Sequence, residues 1–369
     1  MQMSSLRYTD IVNKLAERRS LLLAPVRLPD EHELATEYGV ARDTVRRALK
    51  VLEEQEAVVR RRRRGTFLQP LVAKPSACRG QAIGFVPPWW ADSTTAWCTS
   101  TVFEGVSRWA DEQGCSLSVL HALAREDQDR WVERVRERKL AGVIWLHPQT
   151  EQAPLVRRLA KVLPVVVVGR HVTGEGVYSV TPDYDRAAKL IDDHLVSLGH
   201  STYAAVGADL MGIYNAKWME AIGAAHAQRG QVFDHTHKFL DIRPFSREVL
   251  GRLLLEFYLP YHLDVQALVL TSSSYLEFLS ADAAFRNRVG HDLSIITIDF
   301  GVAPVELCWP YQAVDHIVCG WQTIGRQSIA LLGQLVAGQV VPECKTMPVK
   351  LNTGQTCIRY QPADGKEPA

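Results

Sequence analysis

Seven short apolar segments, separated by amphipathic stretches of helical length, recur between residues 82 and 299. The segments are AIGFV, SLSVL, GVIWL, PVVVVG, TYAAVG, ALVLT and LSIITID. The amphipathic stretches cover residues 100–113, 126–138, 151–162, 184–198, 215–229, 246–258 and 274–288. Apolar strands that alternate with helices form parallel sheets covered on both faces, so the pattern predicts a doubly wound α/β body. A body of roughly 290 residues exceeds one comfortable core, and we therefore expect two α/β subdomains.

The first 70 residues follow a different pattern. An amphipathic helix is predicted over residues 6–20, and a second short helix follows Pro29 and ends at Gly39. A third helix is predicted over residues 42–55, with apolar residues at core spacing. The sequence VVRRRRRGTFL then gives two β-prone stretches around a basic turn closed by Gly65. Three helices and a β-hairpin predict a winged helix-turn-helix.

The charge distribution separates these two regions. Residues 1–70 hold 14 lysines and arginines against 10 acidic residues, whereas the rest of the chain holds 28 against 31. The formal net charge of +1 therefore hides a basic head on a slightly acidic body. This asymmetry indicates that the head meets a polyanion.

Residues 28–68, LPDEHELATEYGVARDTVRRALKVLEEQEAVVRRRRRGTFL, resemble the winged-helix domain of the GntR family of bacterial transcription regulators. The resemblance implies that helix 42–55 enters the major groove, where arginine can hydrogen-bond both O6 and N7 of guanine. It makes Arg42 and Arg46 the base readers, places Thr44 on phosphate and His32 near the DNA backbone, and lays the wing along the phosphates. The predicted DNA-binding residues are His32, Arg42, Thr44, Arg46, Arg47, Arg61, Arg62, Arg63, Arg64 and Gly65. The alternative is a solvated charge run beside a plain surface helix.

One residue departs from the GntR pattern. The family usually has a small hydroxyl residue where this chain has Ala41. Loss of that N-cap typically costs about 0.5–2 kcal/mol of helix stability and can remove a phosphate contact. Asp43 in the first turn offsets part of the loss through the helix dipole, although it repels phosphate.

The body, from Ala82 to about Thr356, resembles the effector domain of the LacI/GalR family, which has the periplasmic-binding-protein type I fold. The segment VYSVTPDYDRAAKLIDDHLVSLGHSTYAAVG carries the strongest similarity, and HDLSIITIDF matches the strand that ends in an aspartate, here Asp299. A GntR-type head on this body is the combination found in arabinose-type repressors. The resemblance implies a ligand-responsive transcriptional regulator, expected to be a repressor that binds an inverted-repeat operator as a homodimer.

Open α/β sheets bind ligands in the crevice beyond the carboxyl ends of their strands. The residues predicted there are Trp89, Trp90, Trp145, His147, Arg170, Asp183, Tyr184, Tyr214, Lys217, Ser272, Ser273 and Asp299. Tryptophan rings beside charged groups can stack on a sugar and hydrogen-bond its hydroxyls, which favours a carbohydrate effector. The chain departs from the family at several of these positions, because Ser272-Ser273 replace Asn-Asp and either Lys217 or Asn215 replaces an arginine.

Other functions find less support in the sequence. The chain has no GxGxxG after a strand, no GxxxxGK[ST], no HExxH and no GxSxG, so a sugar- or nucleotide-acting enzyme body stays the alternative and no catalytic residue or cofactor is predicted. His235 and His237 have no third ligand in view, and the seven scattered cysteines form no C-x-x-C pair, so no metal site is predicted. Neither a signal peptide nor a membrane span is predicted, which favours the cytoplasm over a transport protein.

These patterns give the expected domain boundaries. Residues 1–69 form the winged helix, residues 70–80 a linker, residues 81–360 the effector domain and residues 361–369 a tail. Within the effector domain, subdomain 1 covers about 81–181 and 318–345, and subdomain 2 covers about 182–315.

Overall fold

The computed structural model describes residues 8–20, 25–54, 57–61, 64–69, 77–88, 93–122, 127–207, 213–234, 238–241, 249, 252–262, 265–271, 275–276, 279, 282–298 and 314–360. The chain divides into two compact units, residues 1–76 and 77–369. Residues 77–80, which the sequence assigns to the linker, form a turn in the second unit. There the Gly80 N–H donates to the Gly114 carbonyl at 2.9 Å.

The first unit consists of three helices and a three-stranded antiparallel sheet. Its helices are α1 (Tyr8–Ser20), α2 (Glu31–Tyr38) and α3 (Arg42–Glu54). Its strands are β1 (Val26–Arg27), β2 (Val58–Arg61) and β3 (Gly65–Leu68), and β3 pairs with both of the others. The predicted winged helix-turn-helix is confirmed, and β1 adds a strand that the sequence pattern did not predict.

One apolar cluster holds this unit together. It takes residues from one face of each helix and from the sheet, chiefly Ile11, Leu15, Leu34, Val45, Ala48, Leu49, Leu52, Val58 and Leu68. The spacing of the α3 members leaves the arginines of that helix on its exposed side.

The second unit is built from two lobes, and the first lobe contains a six-stranded parallel sheet. Its strands are β4 (Ala82–Val86), β5 (Ser116–Val119), β6 (Val143–Leu146), β7 (Val165–Val168), β8 (Val177–Pro182) and β14 (Cys344–Met347). They lie in the order β14-β8-β7-β6-β4-β5. The helices of this lobe are α4 (Ser93–Gln113), α5 (Gln128–Glu137), α6 (Ala153–Ala160) and α10 (Trp321–Val336).

The second lobe repeats this strand order. Its strands are β9 (Ala204–Gly207), β10 (Phe239–Asp241), β11 (Ala267–Leu270), β12 (Ser294–Ile298), β13 (Asp315–Val318) and β15 (Lys350–Asn352), in the order β10-β9-β11-β12-β13-β15. All neighbours are parallel except β13 and β15. Its helical segments are α7 (Tyr184–Ser197), α8 (Ile213–Gln228), a π-helical turn at Leu253–Tyr258, a 3₁₀ turn at Leu259–Tyr261, and α9 (Ala283–Arg288).

The chain passes between the lobes three times: from β8 to α7, from β13 to α10, and from β14 to β15. The predicted doubly wound body with two subdomains is therefore confirmed. Two features differ from the sequence predictions. Helix α10 was not among the predicted helices. Residues 350–358 belong to the second lobe, through β15 and the segment after it, although the expected subdomain 2 did not include them. In the described part of the chain, no helix is long and apolar enough to cross a membrane.

Helix α10 is fixed to the first lobe by a close crossing with α4. A Cβ on Gly325 would lie 2.3 Å from the Val102 carbonyl oxygen, and one on Gly105 would lie 2.0 Å from the Gln322 carbonyl oxygen. Only glycine lets the two backbones approach this closely. Because α10 directly follows the second crossing, this contact holds one end of that crossing to the first lobe.

In the second lobe, Asp315 at the start of β13 holds the C-terminal segment. Its Oδ2 accepts hydrogen bonds from the Thr356 N–H at 2.9 Å and the Cys357 N–H at 3.0 Å, while Oδ1 lies 3.0 Å from His194 Nε2. Burial opposes the charge of Asp315, but the hydrogen bonds outweigh it and lower the pKa of the carboxyl. Burial raises the pKa of the Cys357 thiol well above its usual value. With its carboxylate occupied and its thiol protonated, this His-Asp-Cys cluster serves as a structural cross-link.

Candidate functional site

The first unit presents α3 through a well-defined turn after α2. Asp30 caps α2 with a capping box, in which its carboxylate accepts the His32 and Glu33 amides and the Glu33 side chain accepts the Asp30 amide. These amides lower the pKa of Asp30. The helix ends at Gly39, which adopts a left-handed conformation at φ 62°. The turn places α3 so that its first residues, including Arg42, are exposed.

Arginines of α3 and β2 converge on one carboxylate, that of Glu31 in the first turn of α2. Its Oε2 lies 3.2 Å from Arg42 Nε and 3.3 Å from an Arg46 terminal nitrogen, and its Oε1 lies 3.5 Å from an Arg60 terminal nitrogen. Arg46 also pairs with Asp43 at 3.1 Å. The Glu31 side chain is 18% exposed, whereas those of Arg42 and Arg46 are 61% and 53% exposed. The free protein thus holds both predicted base readers in position while leaving them open to a ligand.

The other predicted DNA contacts occupy different surroundings. Arg47 is exposed, and its guanidinium lies over the Tyr8 ring of α1, 4.4 Å from its centroid. Arg61 lies 5.1 Å from the Phe67 ring centroid and faces Gly65 across the hairpin. Among the remaining predicted residues, His32, Arg64 and Gly65 are exposed and Thr44 is half-buried, while Arg62 and Arg63 lie outside the described residues.

Helix α3 begins without a side-chain cap. The Thr44 amide donates to the Ala41 carbonyl at 2.9 Å, and alanine has no side-chain acceptor for the first-turn amides. We expect Ala41→Ser to raise the free energy of unfolding of the first unit by about 0.5–2 kcal/mol, because the serine hydroxyl supplies a side-chain acceptor for the first-turn amides. Urea unfolding of the full chain, followed by amide exchange in α3, measures the gain. Ala41→Val is the matched control, and equal stabilities for the serine and valine variants would contradict the capping argument.

In the body, the candidate crevice lies at the carboxyl ends of the parallel strands. Strand order reverses between β4 and β6 in the first lobe and between β9 and β11 in the second, and such switch points are where open α/β sheets bind ligands. Directly after β6, His147 is buried and 3% exposed. Burial and the nearby Arg170 charge lower its pKa to about 3, so the imidazole is neutral. Arg170, just past the end of β7, donates to the Pro148 carbonyl at 2.8 Å.

Three other predicted crevice residues lie where the chain enters the second lobe or on the helix that packs beside it. Asp183 caps α7 by accepting the Arg186 amide at 2.9 Å, and Tyr184 is buried with its hydroxyl donating to the Gly169 carbonyl at 2.5 Å. Burial raises the pKa of Tyr184 well above its usual value, so the hydroxyl stays a donor. On α8, Lys217 pairs with Asp185 at 3.4 Å and with Glu220 at 3.3 Å. Burial opposes its charge, but the two carboxylates outweigh that effect and raise the pKa of Lys217.

The structure places Trp145 in the core of the first lobe. The ring is fully buried and lies 5.5 Å from the Trp131 ring of α5, within the apolar cluster on that face of the sheet. A strand alternates its side chains between faces, so residue 145 faces α5 although the end of its strand lies at the crevice. We therefore leave Trp145 out of the proposed ligand site.

Several predictions fall outside the described residues: Trp89, Trp90, Ser272, Ser273, Asp299, His235 and His237, together with the side chain of Tyr214. Conversely, sequence reasoning missed Glu31, Gly169, Cys98 and Trp321. Trp321 stands just after a strand and a glycine at the start of a helix, and that pattern could have singled it out. The part played by Glu31 becomes visible only once α2, α3 and β2 are brought together.

Two families match this chain in separate regions. Residues 10–68 match the bacterial regulatory proteins of the gntR family, and residues 81–230 match the periplasmic binding proteins and sugar-binding domain of the LacI family. A curated relative, the arabinose metabolism transcriptional repressor of Geobacillus stearothermophilus, is 26% identical over 188 residues, which cover 48% of this chain and 49% of the relative. The chain therefore aligns with about half the length of this curated relative.

Solved structures match the body more completely. The lac repressor dimer bound to operator and an anti-inducer is similar with a TM-score of 0.59 and 19% identity, over 75% of this chain and 94% of that one. The complex of the transcriptional regulator CelR with cellobiose gives a TM-score of 0.61 and 16% identity, over 89% of this chain and all of that one. At these identities the likeness shows the fold of the two-lobed body.

Proposed function

We propose that this chain, which joins a GntR-type winged helix to a LacI-type periplasmic-binding-protein domain, is a ligand-responsive transcriptional regulator, and specifically a repressor. The observation that carries the proposal is the exposed Arg42–Arg46 pair of α3 in a helix-turn-helix whose chain continues into a two-lobed crevice domain. A helix that buries its apolar face and exposes arginines at its N-terminal end is suited to base edges in the major groove. A regulator of bacterial genes acts in the cytoplasm, where we place this protein.

The proposed DNA partner is an inverted-repeat operator, and the proposed assembly is a homodimer formed by the body. Two equal heads related by a two-fold axis read two half-sites about one helical turn, or a multiple of one turn, apart. The lac repressor, whose body has the same fold, is a dimer on its operator in the solved complex, which supports this arrangement.

The proposed effector is a sugar that binds between the lobes. The name of the curated relative refers to arabinose metabolism, and the CelR structure contains cellobiose. A ligand that contacts both lobes favours one relative position of the lobes, and this shifts the population between states that bind the operator differently. The body has no catalytic motif in its sequence, and we propose that it does not catalyse a reaction.

A thermal-shift screen with L-arabinose, D-xylose, D-galactose and cellobiose tests the effector class. Binding at 100 times the Kd should add about 2.7 kcal/mol of stability. The sugar that raises the melting temperature is then added to the operator complex, and we expect it to change the DNA affinity. If sugars are instead converted by the purified protein, the body is an enzyme and the proposal fails.

Arg46→Ala tests the DNA interface. We expect it to lose about 1–3 kcal/mol on a duplex selected by the wild-type protein and to relax the base preference at one position in each half-site. Fluorescence anisotropy with the selected duplex and single-base variants measures both effects. The matched control is Arg252→Ala, which removes one exposed positive charge from the second unit. Unchanged operator affinity in Arg46→Ala would remove α3 as the recognition helix.

A further inference from the structure

His147 has an unusual backbone conformation at the edge of the crevice. It follows the last residue of β6 and has a φ of 46°, in the left-handed region that residues other than glycine seldom adopt. Such a conformation costs on the order of 1–3 kcal/mol and persists only where its surroundings hold it. The His147 N–H donates to the Val168 carbonyl at 3.0 Å, and this bond and the contacts of the buried imidazole together hold the strand end in its conformation.

The imidazole packs against α4, against Gly169 after β7 and against the first residue of α10. Its ring meets the Trp321 ring edge-to-face, with 5.2 Å between centroids, and Nε2 lies 3.4 Å from Cys98 Sγ on α4. It also lies directly against Gly169, where a Cβ would be 2.1 Å from the imidazole Cε1. Gly169 itself has a φ of 77°, so both the space and the backbone there require glycine.

Two of these contacts lead to the lobe crossings. Trp321 is the first residue of α10 and follows the second crossing through Cys319 and Gly320. Gly169, against which the imidazole lies, accepts the hydroxyl of Tyr184, the first residue of α7 after the first crossing. The first residue of α10, Trp321, therefore contacts His147 directly. The first residue of α7, Tyr184, contacts Gly169, against which the imidazole packs.

The same strand ends also face the crevice. The Arg170 guanidinium donates to the Pro148 carbonyl at 2.8 Å and to Gln149 Oε1 at 3.4 Å, which ties the segment after β6 to the segment after β7. A ligand that takes the place of the Pro148 carbonyl or of Gln149 Oε1 at Arg170 Nη1 would break this tie. Because close-packed residues have discrete arrangements, a small shift of the His147 backbone is passed to its ring contacts.

We propose that His147 is a positioning residue that couples a ligand at the carboxyl ends of β6 and β7 to the lobe crossings, through Trp321 of α10 and through Gly169 and Tyr184 of α7. The proposal rests on the proposed ligand-responsive function. Since the imidazole is neutral, the coupling acts through packing and hydrogen bonding. It differs from ligand recognition: the imidazole is only 3% exposed and packs against Cys98, Gly169 and Trp321, so we no longer count His147 among the residues that contact the ligand.

Amide exchange of the full-length protein, without DNA or sugar, tests the packing part of the proposal. The variant is His147→Asn, because asparagine tolerates the left-handed backbone while removing the ring. The reporters are peptides over 184–191 and 321–328, which contain the Ala187 amide bonded to the Asp183 carbonyl and the Ile324 amide bonded to the Gly320 carbonyl. We expect exchange in both peptides to become about tenfold faster.

Trp145→Phe is the matched control, at a residue of β6 that lies two positions before His147. Its ring packs on Trp131, so this variant should speed exchange in α5 and leave the α7 and α10 peptides unchanged. Trp321→Leu combined with His147→Asn should exchange in α10 no faster than Trp321→Leu alone, because the two residues act through one contact. Wild-type exchange in the α7 and α10 peptides of His147→Asn, or a uniform increase over the whole body, would overturn the proposal.

A second measurement separates coupling from binding. With the sugar identified by thermal shift, His147→Asn should keep the increase in melting temperature but lose most of the sugar-induced change in operator affinity. A wild-type change in affinity would also overturn the proposal. If none of the sugars binds, the proposed effector class fails, while the exchange experiment still decides whether His147 seats the two helices.

Discussion

Replacing Arg229 with methionine is expected to destabilise the second lobe by about 3–5 kcal/mol, because it leaves a buried carboxylate without its partner. Arg229 follows α8 and forms two 2.8 Å hydrogen bonds with Asp192 of α7. Asp192 is 2% exposed and also accepts the Tyr203 hydroxyl at 3.2 Å. The three residues connect α7, the end of α8 and the segment before β9, so the loss should affect the whole lobe. Urea unfolding of the full chain at pH 7, with exchange in α7 and α8 as the local reporter, measures it.

Two controls separate the buried charge from the loss of side-chain volume. Arg229 also donates to the exposed Gln231 at 2.7 Å, and Gln231→Ala should change stability by less than about 0.5 kcal/mol. Asp192→Leu combined with Arg229→Met removes both charges and should recover most of the loss. If the double variant is as unstable as Arg229→Met alone, the unpaired carboxylate is not the cause.

Acidification from pH 6.5 towards pH 3 should destabilise the body through His147, by on the order of 5 kcal/mol over the whole interval. The pKa of His147 in the folded protein is about 3, because burial and then the Arg170 charge disfavour the imidazolium. An unfolded histidine titrates near 6.5. Between these two values the unfolded state binds a proton that the folded state does not, so the free energy of unfolding falls as the pH falls. Each pH unit should change the unfolding equilibrium about tenfold.

The measurement is the difference in stability between pH 7 and pH 5 from urea unfolding of the full chain. His147→Asn has no imidazole to titrate, so its difference should be smaller than that of the wild type by roughly 2 kcal/mol. His171→Asn is the matched control at an exposed histidine of the same lobe and should keep the wild-type difference. A wild-type difference in His147→Asn would mean that this imidazole can be protonated in the folded protein.

Much of the architecture is already determined by the local sequence. The alternation of apolar runs such as PVVVVG with amphipathic stretches predicts parallel sheets, because a strand covered on both faces must be apolar throughout. In the head, the spacing of Val45, Leu49 and Leu52 decides which face of α3 is buried, and therefore that Arg42 and Arg46 are exposed. These features depend on residues a few positions apart. Residues three or four apart share one face of a helix, and alternate residues share one face of a strand, so their spacing decides which face is apolar.

The tertiary structure decides what depends on residues far apart in the chain. The convergence of three arginines on Glu31 requires α2, α3 and β2 to pack together. The contact between His147 and Trp321 joins positions 174 residues apart, across two lobe crossings. The packing of α5 on one face of the first-lobe sheet buries the Trp145 ring against Trp131, which the position of residue 145 near a strand end does not reveal. Sequence spacing therefore fixes which side chains share an element, whereas only packing between elements fixes which of them meet at a site.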